Sequence, residues 1–173
     1  MTIAQGILME FEREAETTRR VLDRIPPEKY RWKPHAKSFS LGQLAMHMIQ
    51  SFDIESEAAS QDVYEFHQLP DAEPHNPQEL IAAYEKSTAK VKEIIGKIDD
   101  ARMMSTWTGM FQGKAIMTVP RLVFIRTALL NHHYHHRGQL SVYLRLLDVP
   151  VPHIYGPSAD ENPFFTAAAG RQP

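Results

Sequence analysis

Along four stretches of this 173-residue chain, apolar side chains recur every three or four residues, the spacing of amphipathic helices that bury one face. The first stripe, Ile7, Leu8, Phe11, Ala15, Thr18, Val21, Leu22 and Ile25, predicts a helix from about Ile3 to Arg24. Thr2 and Gln5 supply a capping box at its start, and Pro26-Pro27 ends it. A connector from Glu28 to Phe39, carrying Tyr30, Trp32 and Pro34, leads to a second helix from Leu41 to near Ser60. Ser40 is placed as its N-cap, with Gln43 completing a capping box and Phe39 and Leu44 as a hydrophobic staple. Its inner face reads Leu44, His47, Met48, Ser51, Ile54 or Glu55, and Ala58. The stretch from Phe66 to His75, with Pro70 and Pro74, reads as loop. A third helix opens with Asn76 as N-cap, Pro77 at the first helical position and Glu79 completing the box. Leu80, Ile81, Tyr84, Thr88, Val91, Ile94, Ile95 and Ile98 form its stripe, and it ends between Lys97 and Asp99.

The helical period fails between Asp100 and Thr118. Here Trp107-Thr108-Gly109-Met110-Phe111-Gln112-Gly113 has the glycines of a turn and predicts a short hairpin or an irregular crossing. A fourth helix follows from about Pro120 to Leu147. The prolines of Asp148-Val149-Pro150-Val151-Pro152-His153-Ile154-Tyr155-Gly156-Pro157 forbid helix and favour an extended strap. The expectation is an all-α four-helix bundle, one domain over residues 1–173 with residues 148–173 as an extended C-terminal strap.

The fourth helix carries the chemistry. Its run His132-His133-Tyr134-His135-His136-Arg137-Gly138-Gln139-Leu140 holds four of the chain's nine histidines. His132 and His136 are four residues apart, roughly 6 Å in rise along one helix face. Stepping by three and four gives Leu122, Ile125, Leu129, His132, His136, Gln139, Tyr143 and Leu147, so the pair interrupts an apolar stripe and faces the core. Imidazoles there either ligate a cation or hydrogen-bond to backbone and to polar groups on facing helices. His47, on the inner stripe of helix two, is a third inward histidine. Three neutral nitrogen donors leave an open coordination position, as in catalytic zinc sites.

Composition narrows the alternatives. The chain has 43% hydrophobic and 23% charged residues and a formal net charge of −2, with no basic stripe of the kind a duplex-DNA binder shows. No apolar run approaches the roughly 20 residues of a membrane span. Met1-Thr2-Ile3-Ala4-Gln5 lacks the basic and apolar regions of a signal peptide, so a cytoplasmic location is expected, with neither nucleic acid nor membrane as partner. Cysteine is absent, which removes disulfides, cysteine-based zinc sites and a protein thiol nucleophile.

Three segments together resemble the DinB-like superfamily (DinB/YfiT type) of small bacterial helical-bundle proteins. They are Ser40-Leu41-Gly42-Gln43-Leu44 leading into His47, the run His132 to Gln139 followed by Leu140-Ser141-Val142-Tyr143-Leu144-Arg145, and the tail from Val149 to Glu161. The resemblance implies a bundle of up-down-down-up topology, often homodimeric, with a divalent metal on three histidines that fall here at His47, His132 and His136. Zinc or nickel comes first for such a site, with manganese or iron as further options. Members similar to this chain include metal-dependent transferases of low-molecular-weight thiols and an isomerase that depends on a thiol cofactor. Transfer of a small thiol to an electrophilic small molecule is thus the leading expectation, since a chain without cysteine takes its sulfur from elsewhere. A metal-dependent hydrolase and a non-catalytic, metal-stapled stress-response or binding module are the alternatives.

Around the histidines, Gln139 and Tyr143 are expected on the same face, where they contact substrate or tie helices together. Arg137 either binds an anionic substrate or anchors the strap through Asp160 or Glu161. His133 and His135, one helical step from the pair, are expected at solvent or an interface, with proton carriage as the alternative. Asp53 and Glu55 are read as solvated rather than as partners of His47. Trp32, Trp107 and Phe111 on connectors either wall a pocket or pack in the core, and Gly138 permits close helix packing. His35, His67, His75 and His153 fall in loops and receive no ligand assignment.

Overall fold

The computed structural model describes residues 1–166, with the side chains of Phe165 and Thr166 left aside. The expectation for residues 167–173 of the strap lies outside the described residues. Its elements in chain order are α1 (Ile3–Leu22), a 3₁₀ turn (Pro27–Lys29), α2 (Leu41–Ser60), β1 (Val63–Phe66), α3 (Pro77–Gly96) and α4 (Asp100–Met104). There follow β2 (Thr106–Phe111), β3 (Lys114–Pro120), α5 (Arg121–Ile125), a π-helical segment (Arg126–His132), α6 (His133–Leu146) and α7 (Pro163–Thr166).

Local chemistry sets the helix starts. Thr2 with Gln5 and Ser40 with Gln43 form reciprocal capping boxes at α1 and α2, each satisfying two orphan backbone donors. At α3 the Asn76 side chain accepts from the Glu79 amide as expected. The Glu79 carboxylate reaches one residue further back, to the His75 amide, so the expected box does not close.

Contacts between the helices give their directions. Lys92 on α3 faces Glu12 on α1, while Arg19 meets Glu85, so these two run antiparallel. Lys90 on α3 faces Glu57 near the end of α2, and Glu73, just before α3, accepts from the Ser40 hydroxyl, so α2 and α3 run parallel. The π segment and α6 run against α2, with His132 on Glu55 and Tyr143 on the Phe39 carbonyl, and along α1, with Tyr134 on Glu10 and Arg137 on Glu14. That is the up-down-down-up order of the four long elements. Ile7, Phe11, Leu44, Met48, Phe52, Tyr84, Val91, Leu129 and Leu140 fill the space between them. The Phe11 and Phe52 rings meet edge-on at 5.2 Å.

The molecule is mostly helical, but it is not the purely α bundle expected from the sequence. A three-stranded sheet caps one end in the order β1-β2-β3, with β1 parallel and β3 antiparallel to β2. The hairpin is the one the glycine pattern allowed. Its turn places Gln112 and Gly113 at φ values of 51° and 72°, left-handed conformations that glycine adopts without penalty. Strand β1 was not legible, because four residues reading Val-Tyr-Glu-Phe carry little period and pair with β2 only across 45 positions of chain. Two buried groups fasten the sheet to the bundle. Trp107 stacks on Phe124 at 3.8 Å and donates its indole N–H to the Ala58 carbonyl. Arg121, wholly buried, donates to the Gln61 and Arg102 carbonyls and pairs with Asp62.

The expected fourth helix is one continuous helical rod, but not a uniform one. Seven residues, Arg126–His132, wind as π-helix before α6 begins. A π segment takes more residues per turn, so every side chain beyond it is rotated relative to a plain α-helix. The buried face widens to take in Leu130, His133, Arg137, Leu140 and Leu144, each one position beyond the expected stripe, alongside its own Ile125, Leu129, His136 and Tyr143, while His132 and Gln139 are only half-buried. The strap beyond α6 is irregular until α7, which interrupts the expected extended course. Salt bridges Arg145–Asp160 and Arg24–Glu161 hold it against the bundle. No helix is long and apolar enough to cross a membrane among the described residues.

Candidate metal centre

The one-residue rotation decides what the histidines can do. His136 is buried as its stripe predicts, whereas His132, the last residue of the π segment, sits at the edge of the core beside α2 with its side chain 35% exposed. His47 stands opposite on α2. Ligand nitrogens of His47, His132 and His136 all lie within 4.8 Å of one another. The Nε2 atoms of His132 and His136 are 2.8 Å apart, and the His47 ring centre is 4.7 Å from that of His136 and 5.5 Å from that of His132.

The far side of two of these rings is occupied, which fixes their tautomers. His132 Nδ1 is 2.9 Å from Glu55 Oε1, and His136 Nδ1 is 2.7 Å from Gln139 Oε1. A carboxylate or an amide oxygen accepts, so Nδ1–H donates and each Nε2 keeps its lone pair for the shared space. His47 stacks on Phe39 with ring centres 5.2 Å apart.

Electrostatics favours the neutral, ligating form of all three. Burial lowers the basicity of His47, with His132 adding to it, and burial likewise lowers that of His132. For His136, burial outweighs the opposing hydrogen bond to Gln139, and with the neighbouring imidazoles it brings the pKa down to about 4. Three neutral imidazoles whose lone pairs share one half-open space are a donor set suited to a divalent cation of borderline softness. His47, His132 and His136 are therefore the residues that could hold one.

Glu55 and His133 overturn two sequence expectations. Glu55 is 7% exposed rather than solvated, and it serves His132 rather than His47. His133 is 3% exposed rather than superficial; its Nε2 is 3.1 Å from Glu55 Oε2 and its ring stacks on Phe52 at 3.7 Å. One carboxylate thus engages two consecutive histidines. Burial pushes the Glu55 carboxyl up while His133 pulls it back, and burial pushes His133 down while Glu55 pulls it back. A signal for Glu55 was present: Leu44, Met48, Ser51, Glu55 and Ala58 form one core stripe, and an acid on such a stripe needs a partner. His133 had no such signal, because its burial depends on the π segment.

The other singled-out residues lie further away. Tyr143 donates to the Phe39 carbonyl at 3.4 Å and meets Trp32 edge-on, bracing the connector beside His47. Arg137 is engaged on its other side by the Glu14 carbonyl and carboxylate, Thr18 and Tyr155. It does hold the strap, but through Tyr155; Asp160 and Glu161 pair with Arg145 and Arg24 instead. Trp107 is core, and Gly138 faces open space rather than a packed helix. Asp53 is half-buried and His135 exposed. A cleft of about 350 Å³ opens beside His47, lined by Phe39, Gln43 and Gln50 and by the loop from Gln68 to Ala72.

A mostly helical bundle with three histidines converging from two helices defines the class: a candidate metal-binding helical-bundle protein. The chain matches the DinB family over residues 1–163 and belongs to it. A curated relative, the uncharacterized protein YrdA of Bacillus subtilis strain 168, is 26% identical over 162 residues, covering 89% of each chain. Two solved structures share the fold. A DinB-like protein from Bacillus cereus ATCC 10987 superposes with a TM-score of 0.72 at 24% identity, covering 89% of this chain and 98% of its own. A DinB-like protein from Bacillus subtilis, YjoA, does so with a TM-score of 0.66 at 19% identity, covering 90% and 98%.

Proposed function

We propose that this protein is a metal-dependent enzyme that transfers a low-molecular-weight thiol to an electrophilic small molecule, with His47, His132 and His136 as the metal ligands. The observation that carries this reading is the convergence of three neutral imidazoles beside a cleft of small-molecule size. A divalent cation held there, zinc or nickel before manganese or iron, supplies Lewis acidity that makes a water or a thiol nucleophilic near neutral pH. The chain's own part is to hold that centre and orient the reactants. Glu55 fixes the His132 imidazole and Gln139 that of His136, Phe39 stacks on His47, and Gln43 and Gln50 offer amides to a molecule in the cleft. In the transfer a sulfur–carbon bond forms while the bond to the leaving group breaks. The leaving group departs with the bonding pair, and the thiol proton balances its charge. A homodimeric assembly accompanies the proposal on the family resemblance, and a cytoplasmic location belongs to the same reading.

A hydrolase would use the same three ligands, with water in place of thiol. The half-open His132 favours a reactive centre over a sealed structural staple, which would have a closed coordination sphere. The test is metal content by mass spectrometry, followed by thiol consumption with model electrophiles in chelated and reconstituted protein. Near-stoichiometric metal lost in His136→Ala, with metal-dependent thiol consumption, supports transfer. Full metal occupancy and activity in His136→Ala overturn the ligand set. Metal that raises the melting temperature without any turnover points to the staple.

A further inference from the structure

The cleft beside His47 does not end at the histidines. Phe39, Gln43 and Asp71 also line an adjoining compartment of about 230 Å³, whose remaining wall is Lys33, Ala36, Lys37 and Ser38 from the connector before α2. Three exposed residues with charged side chains thus line this small, open recess: Lys33, Lys37 and Asp71. None of the three has an ion-pair or side-chain hydrogen-bond partner among the described residues, although other charges nearby do pair. Arg31 faces Glu73, and Glu73 accepts from Ser40. Gln43, at the junction of the two compartments, spends its carbonyl oxygen on the Ser40 amide, which leaves its NH₂ to donate.

Unpaired charges of both signs around one recess are complementary to a ligand that carries both. We infer that this compartment receives the zwitterionic head of an amino acid, with the ligand's ammonium at Asp71 and its carboxylate at Lys33 and Lys37. The side chain then extends past Gln43 and Phe39 toward His47. This deepens the thiol-transfer reading and rests on it for the identity of that side chain: the thiol carrier is a cysteine derivative with a free α-amino-acid head. A purely anionic ligand would leave Asp71 repelling it, and a simple amine would leave two lysines unused. Recognition of both ends sets the orientation, because exchanging them would bring like charges together.

Thioethers test the head pocket without touching the metal chemistry, since they carry no thiol to transfer and do not strip metal. Chelated and zinc-loaded protein are titrated by NMR with S-methyl-L-cysteine, 2-(methylthio)ethylamine, which lacks the carboxylate, and 3-(methylthio)propionate, which lacks the ammonium. The expected result is that S-methyl-L-cysteine binds at least about tenfold more tightly than either half-ligand, each charge-assisted contact being worth that much. The double variant Lys33→Glu/Lys37→Glu, on an exposed connector, should lose that advantage and leave 2-(methylthio)ethylamine no weaker. Asp71→Asn should weaken S-methyl-L-cysteine and the amine and spare the propionate. Equal affinity for all three ligands, or indifference to both variants, overturns the assignment. Discrimination that persists in chelated protein while the zinc-loaded protein consumes no thiol keeps the head pocket and rejects the transferase.

Discussion

His132 Nδ1 and Glu55 Oε1 lie 2.9 Å apart across the α2–α6 seam, and the other oxygen of the same carboxylate is 3.1 Å from His133 Nε2. A buried acid is thereby saturated by two successive residues of one helix. On a regular α-helix such residues diverge by about 100°. The two oxygens of one carboxylate span that divergence, one for each ring, at the point where the π segment gives way to α6, and π turns are frequent at functional sites.

Glu55→Ala should lower metal affinity about 10- to 100-fold, the usual cost of losing the group that orients a metal-bound imidazole. Competition against a chromophoric chelator measures this. Glu55→Gln retains an oxygen for His132 and should fall between the two. The cobalt-substituted protein adds a readout that stability alone would not move, since a reoriented His132 alters its visible absorption spectrum. Unchanged affinity and spectrum in Glu55→Ala would show that the carboxylate does not position His132.

Arg137 is a matter of stability. Its guanidinium is 1% exposed and paired with Glu14, whose side chain is 14% exposed. Removing one partner leaves the other charge buried, so Arg137→Met should cost about 3 kcal/mol in denaturant unfolding. Metal stoichiometry at 20 °C should stay intact, because neither partner touches the three histidines. Loss of metal in a folded Arg137→Met protein would instead tie this residue to the site.

Gly113 reports on the hairpin that the helical reading left open. Its φ of 72° is left-handed, and nothing lies within 4 Å of where a Cβ would stand. Gly113→Ala should therefore cost about 1 kcal/mol through backbone strain alone, without a clash. Thermal melts of the two proteins check this. A neutral substitution would mean that the turn tolerates another conformation.

The strap should respond to acid. The Arg145 guanidinium, with the Val151 amide, holds the Asp160 carboxyl below its ordinary value of 3.8. The folded state thus binds its proton later than the unfolded one, so the stabilisation from Asp160 is complete above that ordinary value and fades as pH falls through the lower folded value. Hydrogen-exchange protection of the Val151 amide, which donates to Asp160 at 2.8 Å, should decline over that interval. Asp160→Asn should show the loss already at neutral pH. Equal protection in both proteins at neutral pH would remove Asp160 from the strap's attachment.

Much of this protein is local and so was legible in its sequence. The caps at Thr2 and Ser40, the prolines that end α1 and open α3, and the 3.6-residue stripes depend on neighbours within a turn or two, and they placed the long helices within a few residues. Convergence of His47 with His132 and His136 could be expected from stripe phase together with the family resemblance. The tertiary structure decided the rest, because the physics there is non-local. Strand β1 exists only because Val63 to Phe66 find a partner in β2. The π segment rotates all that follows it, which buries His133 and Arg137, while His132 at its end stays half-buried. Glu55 becomes a partner of His132 only because α2 and α6 run antiparallel at that depth, where a carboxylate without donors would be too costly to bury.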